Sequence, residues 1–180
     1  MLTSDFDYDL PPELIAQEPA PDRDGCRLLV MDRATGALED RVFRDIVDYL
    51  HPGDVLVANE TRVMPARLIG KKRGTGGAAE VFLLRQHGTP TQNRSALWEV
   101  LVRPGKRLKP GSGAVVDFAD ATGNTVLSAE VVDWARNAQK GERVARLSTT
   151  LPSLDEALHA VGRTPLPPYI KDYAGDEELY

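Results

Sequence analysis

The sequence predicts a fold of mixed class, in which an α/β domain is interrupted by an inserted, all-β antiparallel barrel. Two changes of pattern along the 180 residues indicate this arrangement. Strand-like and helical segments alternate up to about residue 62, and short strand-like runs then follow one another without a helix to about residue 150. A helical pattern returns after residue 151. We therefore expect residues 1–62 and 151–180 to share one α/β domain, with residues 63–150 inserted as a six-stranded β-barrel.

The first segment carries both strand and helix signals. Arg27–Met31 is a compact apolar run, and the turn residues that follow it predict a hairpin with residues 37–43. Apolar residues then recur at helical spacing over residues 46–50, until a Pro-Gly pair ends the pattern. Residues 55–57, with the sequence Val-Leu-Val, form a second candidate for a buried strand.

The middle segment contains six strand-like runs, separated by turns rich in glycine and proline. The runs cover residues 66–71, 79–85, 97–103, 114–118, 126–134 and 143–148. Consecutive strands with no helix between them are typical of an antiparallel barrel, which leaves no sheet edge exposed. Within each strand alternate residues, such as Val81 and Leu83, would face the interior.

A helix is predicted directly after the barrel. Ser153 and Glu156 have the spacing of a capping box, and apolar residues follow at helical spacing as far as Val161. Gly162 is well placed to end this helix. The proline-rich residues 165–169 are expected to be extended, because proline fixes its own φ and disfavours helix in the residue before it.

Charge is distributed unevenly along the chain. The net charge is −5, yet residues 62–109 contain eleven Lys or Arg and two acidic residues, whereas the remainder contains eleven basic and 25 acidic residues. A basic block within an acidic chain favours a polyanionic partner, because neutralising phosphates releases their counterions. The alternative is a solvated strand face that happens to use basic side chains.

Two loops within this block are candidate phosphate-binding elements. The first lies between two Pro-Gly turns and carries Arg103, Lys106, Arg107 and Lys109. The second carries Lys71, Lys72 and Arg73, followed by a run rich in glycine. The second loop lacks the sequence of a nucleotide-binding P-loop. A stiff cationic loop loses little entropy on gripping a phosphate backbone. The alternatives are an exposed charged turn for the first loop and a flexible hairpin tip for the second.

The crossover from the first segment into the barrel is unusually polar. It carries an amide, a carboxylate, a hydroxyl and two guanidinium groups, on Asn59, Glu60, Thr61, Arg62 and Arg67. Ligand clefts form preferentially where domains meet, and each arginine could hold a carboxylate or phosphate through two hydrogen bonds. The alternative is a structural strut whose arginines cap carbonyls and pair with acidic side chains.

Composition disfavours several other classes of protein. A single cysteine, Cys26, rules out a disulfide framework, and the three histidines lack metal-ligand spacing, so no metal site is expected. Residues 1–18 lack the features of a signal peptide, and the apolar runs are far shorter than the ~20 residues of a transmembrane helix. We expect a cytoplasmic protein without a membrane partner, and a monomer.

Five segments together resemble the S-adenosylmethionine:tRNA ribosyltransferase-isomerase family of queuosine biosynthesis. They are residues 4–11, 22–30, 52–67, 103–111 and 165–171. The chain departs from the family pattern at Glu60, where an Asp or Asn is usual, and at Thr164, where an Ile is usual. Family members also continue for about as many residues again, so the resemblance identifies the chain as an N-terminal half.

The resemblance implies a reaction. The ribosyl part of S-adenosylmethionine would be transferred to 7-aminomethyl-7-deazaguanine at the tRNA wobble position and rearranged, giving epoxyqueuosine and releasing adenine and methionine. S-adenosylmethionine is then a consumed substrate, tRNA is the partner, and no cofactor is required. The sulfonium acidifies the neighbouring carbon, so a positioned base can begin the isomerisation.

The resemblance also implies roles for the polar residues. Arg62 or Arg67 would hold the methionine carboxylate, Asn59 and Thr61 would orient ribose hydroxyls, and Glu60 is the candidate base. The residues expected to bind tRNA phosphates are Arg103, Lys106, Arg107, Lys109, Lys71, Lys72 and Arg73. Tyr169, with the prolines before it, would form a wall of the cleft or a return crossover.

Two other interpretations remain open from sequence. The chain could be a non-catalytic RNA-binding module left by truncation, or an enzyme that acts on an unrelated phosphorylated metabolite. Release of adenine and methionine distinguishes the transferase from both.

Overall fold

A computed structural model describes residues 1–91, 93–136, 141–167, 169 and 170. Contacts divide the chain into two units. The first comprises Met1–Arg62 with Leu166–Tyr180, and the second comprises Val63–Pro165.

The first unit contains the expected hairpin. β1, Arg27–Met31, pairs antiparallel with β2, Leu38–Val42. Asp32 shapes the turn, since its Oδ1 accepts hydrogen bonds from the backbone N–H of Ala34 at 3.0 Å and of Thr35 at 2.7 Å. The hairpin predicted from the apolar run and its turn is therefore confirmed.

The helical elements described in this unit are all short 3₁₀ turns. They span Thr3–Phe6, Pro12–Leu14 and Phe43–Tyr49. The helical pattern over residues 46–50 thus corresponds to the 3₁₀ helix Phe43–Tyr49. With no α-helix among its described residues, the unit does not show an α/β domain, and that part of the predicted fold stays a prediction.

Residues 55–57 do not form the predicted buried strand. They are irregular, and Val55, Leu56 and Val57 are 85%, 71% and 89% exposed. Strand structure requires a neighbouring strand to pair with, and the described pairing in this unit is limited to β1 with β2. Not one residue of Met1–Arg62 is buried, so these residues form no core among themselves.

The second unit is a closed antiparallel barrel of six strands. The strands are β3 (Arg67–Lys72), β4 (Ala78–Thr91), β5 (Ser95–Arg103), β6 (Val115–Ala119), β7 (Thr125–Trp134) and β8 (Arg143–Thr149). They are arranged in the order β4-β5-β8-β7-β6-β3, and the last strand, β3, also pairs with the first, β4, which closes the barrel. This confirms the six-stranded antiparallel barrel predicted from the sequence.

Alternation of side chains fills the interior of the barrel. Val81 and Leu83 of β4 are both buried, as expected, and Phe118 of β6 is fully buried. Gly70 of β3 allows this packing, because a Cβ at that position would overlap the ring of Phe118 and the backbone carbonyl of Asp117. The residue type at position 70 is thus set by a neighbouring strand rather than by a turn.

One α-helix, α1 (Leu154–Val161), follows the barrel among the described residues. The Ser153 side chain accepts a hydrogen bond from the Glu156 backbone N–H at 3.2 Å, which caps the helix as expected. Leu154, Ala157 and Leu158 are buried in the barrel core. In the described ranges, no helix combines the length and the apolar character that spanning a bilayer would require.

The sequence assigned the helix to the same domain as residues 1–62, but it belongs to the barrel unit. Its apolar stripe is covered by β7 and β8, and the short strand β9, Gly162–Arg163, pairs with β3. The barrel unit therefore ends at Pro165 rather than near residue 150.

Candidate nucleic-acid interface

The barrel brings the two cationic loops together at one end. β3 and β6 are antiparallel neighbours, with Lys72 opposite Val116, and the backbone N–H of Arg73 donates to the carbonyl of Val115 at 2.8 Å. One loop follows β3 and the other leads into β6, so both lie at the same end of the barrel. We call residues 72–77 and 103–114 together the cationic rim.

An open cavity of about 580 Å³ lies between the two loops of the rim. Its polar lining includes Lys72, Arg73, Thr75, Arg107 and Ser112. None of the described residues that line it is acidic. The cavity therefore offers cations from both predicted loops, together with hydroxyl groups, to one anionic ligand.

Arg73 is held in place by Asp117. Its Nε and Nη2 donate to the two carboxylate oxygens at 2.9 and 2.5 Å, and Nη2 also donates to Ser128 Oγ at 3.0 Å. The hydrogen bond from Arg73 is the main reason that the pKa of Asp117 lies below its ordinary value, and the same bond raises the pKa of Arg73. Asp117 offsets much of the charge of Arg73. Among the described side chains, no acid pairs with Lys72 or Arg107.

The second loop of the rim is anchored at several points. Leu108 is fully buried, and the Ser112 hydroxyl donates to the carbonyl of Lys109 at 2.5 Å. The side chains of Lys106 and Arg107, which directly precede Leu108, are exposed, and so is that of Lys109. The loop thus presents its cations to solvent from a backbone that is fixed to the barrel.

The remaining tRNA candidates lie outside the 580 Å³ cavity. Lys71 is exposed on the strand face opposite to Lys72, because side chains alternate along β3. Arg103 ends β5 and lines a separate cavity of about 390 Å³ together with Glu80 and Phe82. Of the seven predicted tRNA-binding residues, the structure brings Lys72, Arg73 and Arg107 together around one cavity.

The polar crossover residues of the first unit are exposed. Asn59 and Thr61 engage each other, since Asn59 Oδ1 accepts from the Thr61 backbone N–H at 2.8 Å and from its hydroxyl at 2.7 Å. Glu60 and Arg62 are exposed as well. In the same unit, Tyr169 is exposed and its carbonyl accepts from the Gln17 side chain at 3.0 Å. The substrate-binding and catalytic roles given to these residues stay predictions.

Arg67 lies on β3 of the barrel unit, in a surface ion pair. Its Nε donates to Glu80 Oε1 at 3.0 Å across the β3–β4 pair, and its side chain is 46% exposed. A ligand carboxylate would therefore compete with Glu80 for this guanidinium group.

Arg143, which contacts the rim, was not among the functional residues predicted from the sequence. It is buried beneath the second loop, where its Nη2 donates to the carbonyl of Gly105 at 2.8 Å. Alternation along β8 contained a usable signal, because Arg143 shares a face with the core residues Ala145 and Leu147.

Among the described residues, no group of three or more His, Cys, Asp or Glu side chains is placed to hold a metal ion.

Comparison with known proteins places the chain in a family. Residues 3–180 match the family model described as "Queuosine biosynthesis protein". The chain belongs to this family. The resemblance seen in the five sequence segments is thereby confirmed.

Curated relatives of this family match the whole chain. Proteins named S-adenosylmethionine:tRNA ribosyltransferase-isomerase are 46% identical in Pelotomaculum thermopropionicum and 44% identical in Acetivibrio thermocellus, each over 180 residues, or 100% of this chain and 48% of the relative. The chain thus spans about half the length of these relatives. A solved S-adenosylmethionine tRNA ribosyltransferase from Thermotoga maritima is 35% identical over 88% of this chain and 48% of its own, with a TM-score of 0.36.

Proposed function

We propose that this chain is one half of an S-adenosylmethionine:tRNA ribosyltransferase-isomerase, and that the cationic rim of its barrel binds tRNA. The match of the whole chain to relatives of that name, at 44% and 46% identity, carries the proposal. The enzyme would transfer and isomerise the ribosyl group of S-adenosylmethionine onto 7-aminomethyl-7-deazaguanine at the wobble position. Epoxyqueuosine, adenine and methionine are the products, and S-adenosylmethionine is consumed rather than recycled as a cofactor.

The rim supports the tRNA part of the proposal. Lys72 and Arg107 line one open cavity without an acidic partner among the described side chains, so each has its charge available to a phosphate. Such contacts are insensitive to sequence and supply affinity through counterion release. The base that is modified must then be read by other parts of the enzyme.

The polar crossover supports the S-adenosylmethionine part less directly. Arg62 and Arg67 are each able to bind the methionine carboxylate through two hydrogen bonds. For Arg67, that carboxylate would displace Glu80 from the ion pair. Glu60 remains the candidate base, and Asn59 with Thr61 the candidate ribose ligands. These assignments come from residue chemistry and family resemblance.

A second candidate function is an RNA-binding module without catalysis. The barrel unit has its own closed core and carries the rim, whereas no residue of Met1–Arg62 is buried. A unit with this architecture could bind tRNA whether or not the transferase reaction occurs on the same chain.

Adenine release separates the two functions. The test compares the 180-residue chain with a chimera in which it is joined to the second half of the Pelotomaculum relative, each incubated with S-adenosylmethionine and precursor-bearing tRNA. We expect the chimera to release adenine and the shorter chain to bind tRNA without turnover. Transfer RNA that lacks the precursor base is the matched control. A folded chimera without adenine release would refute the transferase, and tRNA binding by the shorter chain would then favour the module.

A further inference from the structure

Arg143 occupies a position where an apolar residue would be expected. It begins β8 and, with Ala145 and Leu147, faces the barrel interior, and it is only 7% exposed. β8 starts where β5 and β7 end, since Arg143 is paired with Val100 and Trp134, so this position lies at the same end of the barrel as the cationic rim. Within the described part of the chain, Arg143 is the one charged side chain that is buried.

No described carboxylate compensates this buried charge. Nη1 donates to the carbonyl of Gly141 at 2.6 Å, Nη2 donates to that of Gly105 at 2.8 Å, and the guanidinium carbon lies 4.8 Å from the centre of the Trp134 ring. Nε has no hydrogen-bond partner among the described residues, and burial lowers the pKa of Arg143. Burial of a cation without an acidic partner is costly, so stability alone does not explain an arginine here.

The contact with Gly105 fixes one end of the segment that presents the rim's cations. Gly105–Arg107 forms a 3₁₀ turn, and the fully buried Leu108 anchors the chain directly after it. Lys106 and Arg107 are therefore held between two fixed points while their side chains stay exposed. A segment that is ordered before binding loses less entropy when it grips a ligand.

We propose that Arg143 is a positioning residue for tRNA binding, which holds the Gly105 carbonyl and thereby orders Lys106 and Arg107 for phosphate contacts. The proposal rests on the proposed function, because it takes tRNA as the polyanion. Arg143 itself is too buried to touch a phosphate. Its loss should therefore weaken binding without changing the number of phosphates that the rim neutralises.

The experiment compares Arg143→Met and Arg143→Lys with the unaltered 180-residue chain. Arg143→Lys keeps the charge, but its single nitrogen lacks the fork that reaches both carbonyls. Hydrogen exchange of the amides in residues 105–109 reports order without RNA, and tRNA affinity is measured at several salt concentrations. Arg146→Met is the matched control, because Arg146 lies on the same strand in an exposed ion pair with Glu130 at 3.0 Å.

We expect both Arg143 variants to speed amide exchange in residues 105–109. Binding of tRNA should weaken by about tenfold, the order expected when about one more residue must be ordered on binding. The slope of log affinity against log salt should stay as in the unaltered chain. Full affinity of Arg143→Lys, or a slope that falls by about 0.7–0.9, would overturn positioning in favour of a direct charge effect. The Arg146→Met control should behave as the unaltered chain.

Folding is checked through the thermal transition, and Gly105→Ala provides a second variant if Arg143→Met does not fold. A Cβ at Gly105 would lie 3.2 Å from Arg143 Nη2 and so presses on the same contact while keeping the cation. We expect it also to speed exchange and weaken binding. Absence of tRNA binding by the unaltered chain would overturn the tRNA-binding role of the rim and this proposal together, whereas the transferase is tested separately by adenine release from the chimera. Binding that no Arg143 variant changes would overturn this proposal alone.

Discussion

Arg73 and Asp117 form a forked ion pair that ties the end of β3 to β6, with Nε–Oδ2 and Nη2–Oδ1 distances of 2.9 and 2.5 Å. The pair has two consequences for the rim. It fixes the guanidinium group at the edge of the cavity, and it places a negative charge directly behind a side chain predicted to bind phosphate.

Asp117→Asn should strengthen tRNA binding, because it removes that negative charge and frees Arg73. If Arg73 then contacts a phosphate fully, the salt slope should steepen by about 0.7–0.9. Affinity titrations over a range of salt concentrations measure this change. Glu99→Gln is the control, since it removes an equal charge from the Arg85 ion pair on another part of the barrel. Equal effects of the two variants would show that net charge, rather than the position of Arg73, governs binding.

The same pair predicts a dependence of stability on acid. The pKa of Asp117 in the folded state is lowered from 3.8, chiefly by its hydrogen bond from Arg73. The unfolded state therefore binds the proton first as the pH falls, and the stability contributed by the pair is lost below the unfolded value. Between pH 6 and about pH 3, the unfolding free energy of Asp117→Asn should fall less steeply than that of the unaltered chain. Parallel curves from denaturant titrations at each pH would contradict this.

The exposed cations of the second rim loop should account for much of the salt dependence. Replacing Lys106, Arg107 and Lys109 together with alanine should flatten the slope of log affinity against log salt by about 2 to 3 if all three touch phosphate, and Arg107→Ala alone by about 0.7–0.9. The control replaces Arg33, Arg41 and Arg44, which removes three charges from the first unit. An unchanged slope in a variant with a normal thermal transition would show that the loop is only an exposed charged turn. Lys71 and Lys72 would then be the next candidates for phosphate contacts.

Arg67→Ala in the chimeric full-length enzyme should impair use of S-adenosylmethionine more than tRNA binding. Loss of a hydrogen bond to a charged group costs about 1.5–3 kcal/mol, which corresponds to a fall in kcat/KM of roughly tenfold or more. Glu80→Gln is the matched control, because it removes the observed partner and leaves Arg67 free for a ligand. Unchanged KM and kcat in a folded Arg67→Ala enzyme would exclude the predicted role.

Local patterns in the sequence were sufficient to predict the strands of the barrel. They were insufficient to predict which surfaces, distant in sequence, each element packs against. Alternation predicts that Val81 and Leu83 face inward, and the turn residues locate each strand end, because both signals lie within a few neighbouring residues. The apolar residues 55–57 show a demand for burial but do not identify what would cover them. The helix after residue 153 was likewise predicted correctly as an element, but its apolar stripe does not specify which surface it packs on.

The candidate site shows the same limit. The charges of both rim loops are visible in the sequence, whereas their meeting around one cavity depends on the pairing of β3 with β6. Arg143 illustrates the opposite case, since its inward position follows from alternation with Ala145 and Leu147. A charged residue at a strand position that faces the interior is unusual, so Arg143 could have been singled out from the sequence.

Gly70 and Gly77 provide a matched pair that tests both the packing and the rim. Gly70→Ala would drive a Cβ into the Phe118 ring and a backbone carbonyl of β6, neither of which can move without disturbing the β3–β6 pair. Overpacking of this kind costs about 1–3 kcal/mol, so the unfolding free energy should fall by that amount. At Gly77, the new Cβ would meet the end of the Lys72 side chain at 2.9 Å, which is flexible and can turn away. Gly77→Ala should therefore leave stability nearly unchanged and weaken tRNA binding by displacing the Lys72 ammonium group from the cavity. Equal destabilisation by the two substitutions would contradict the packing assigned to Gly70, and unaltered binding by Gly77→Ala would remove Lys72 from the phosphate-binding residues.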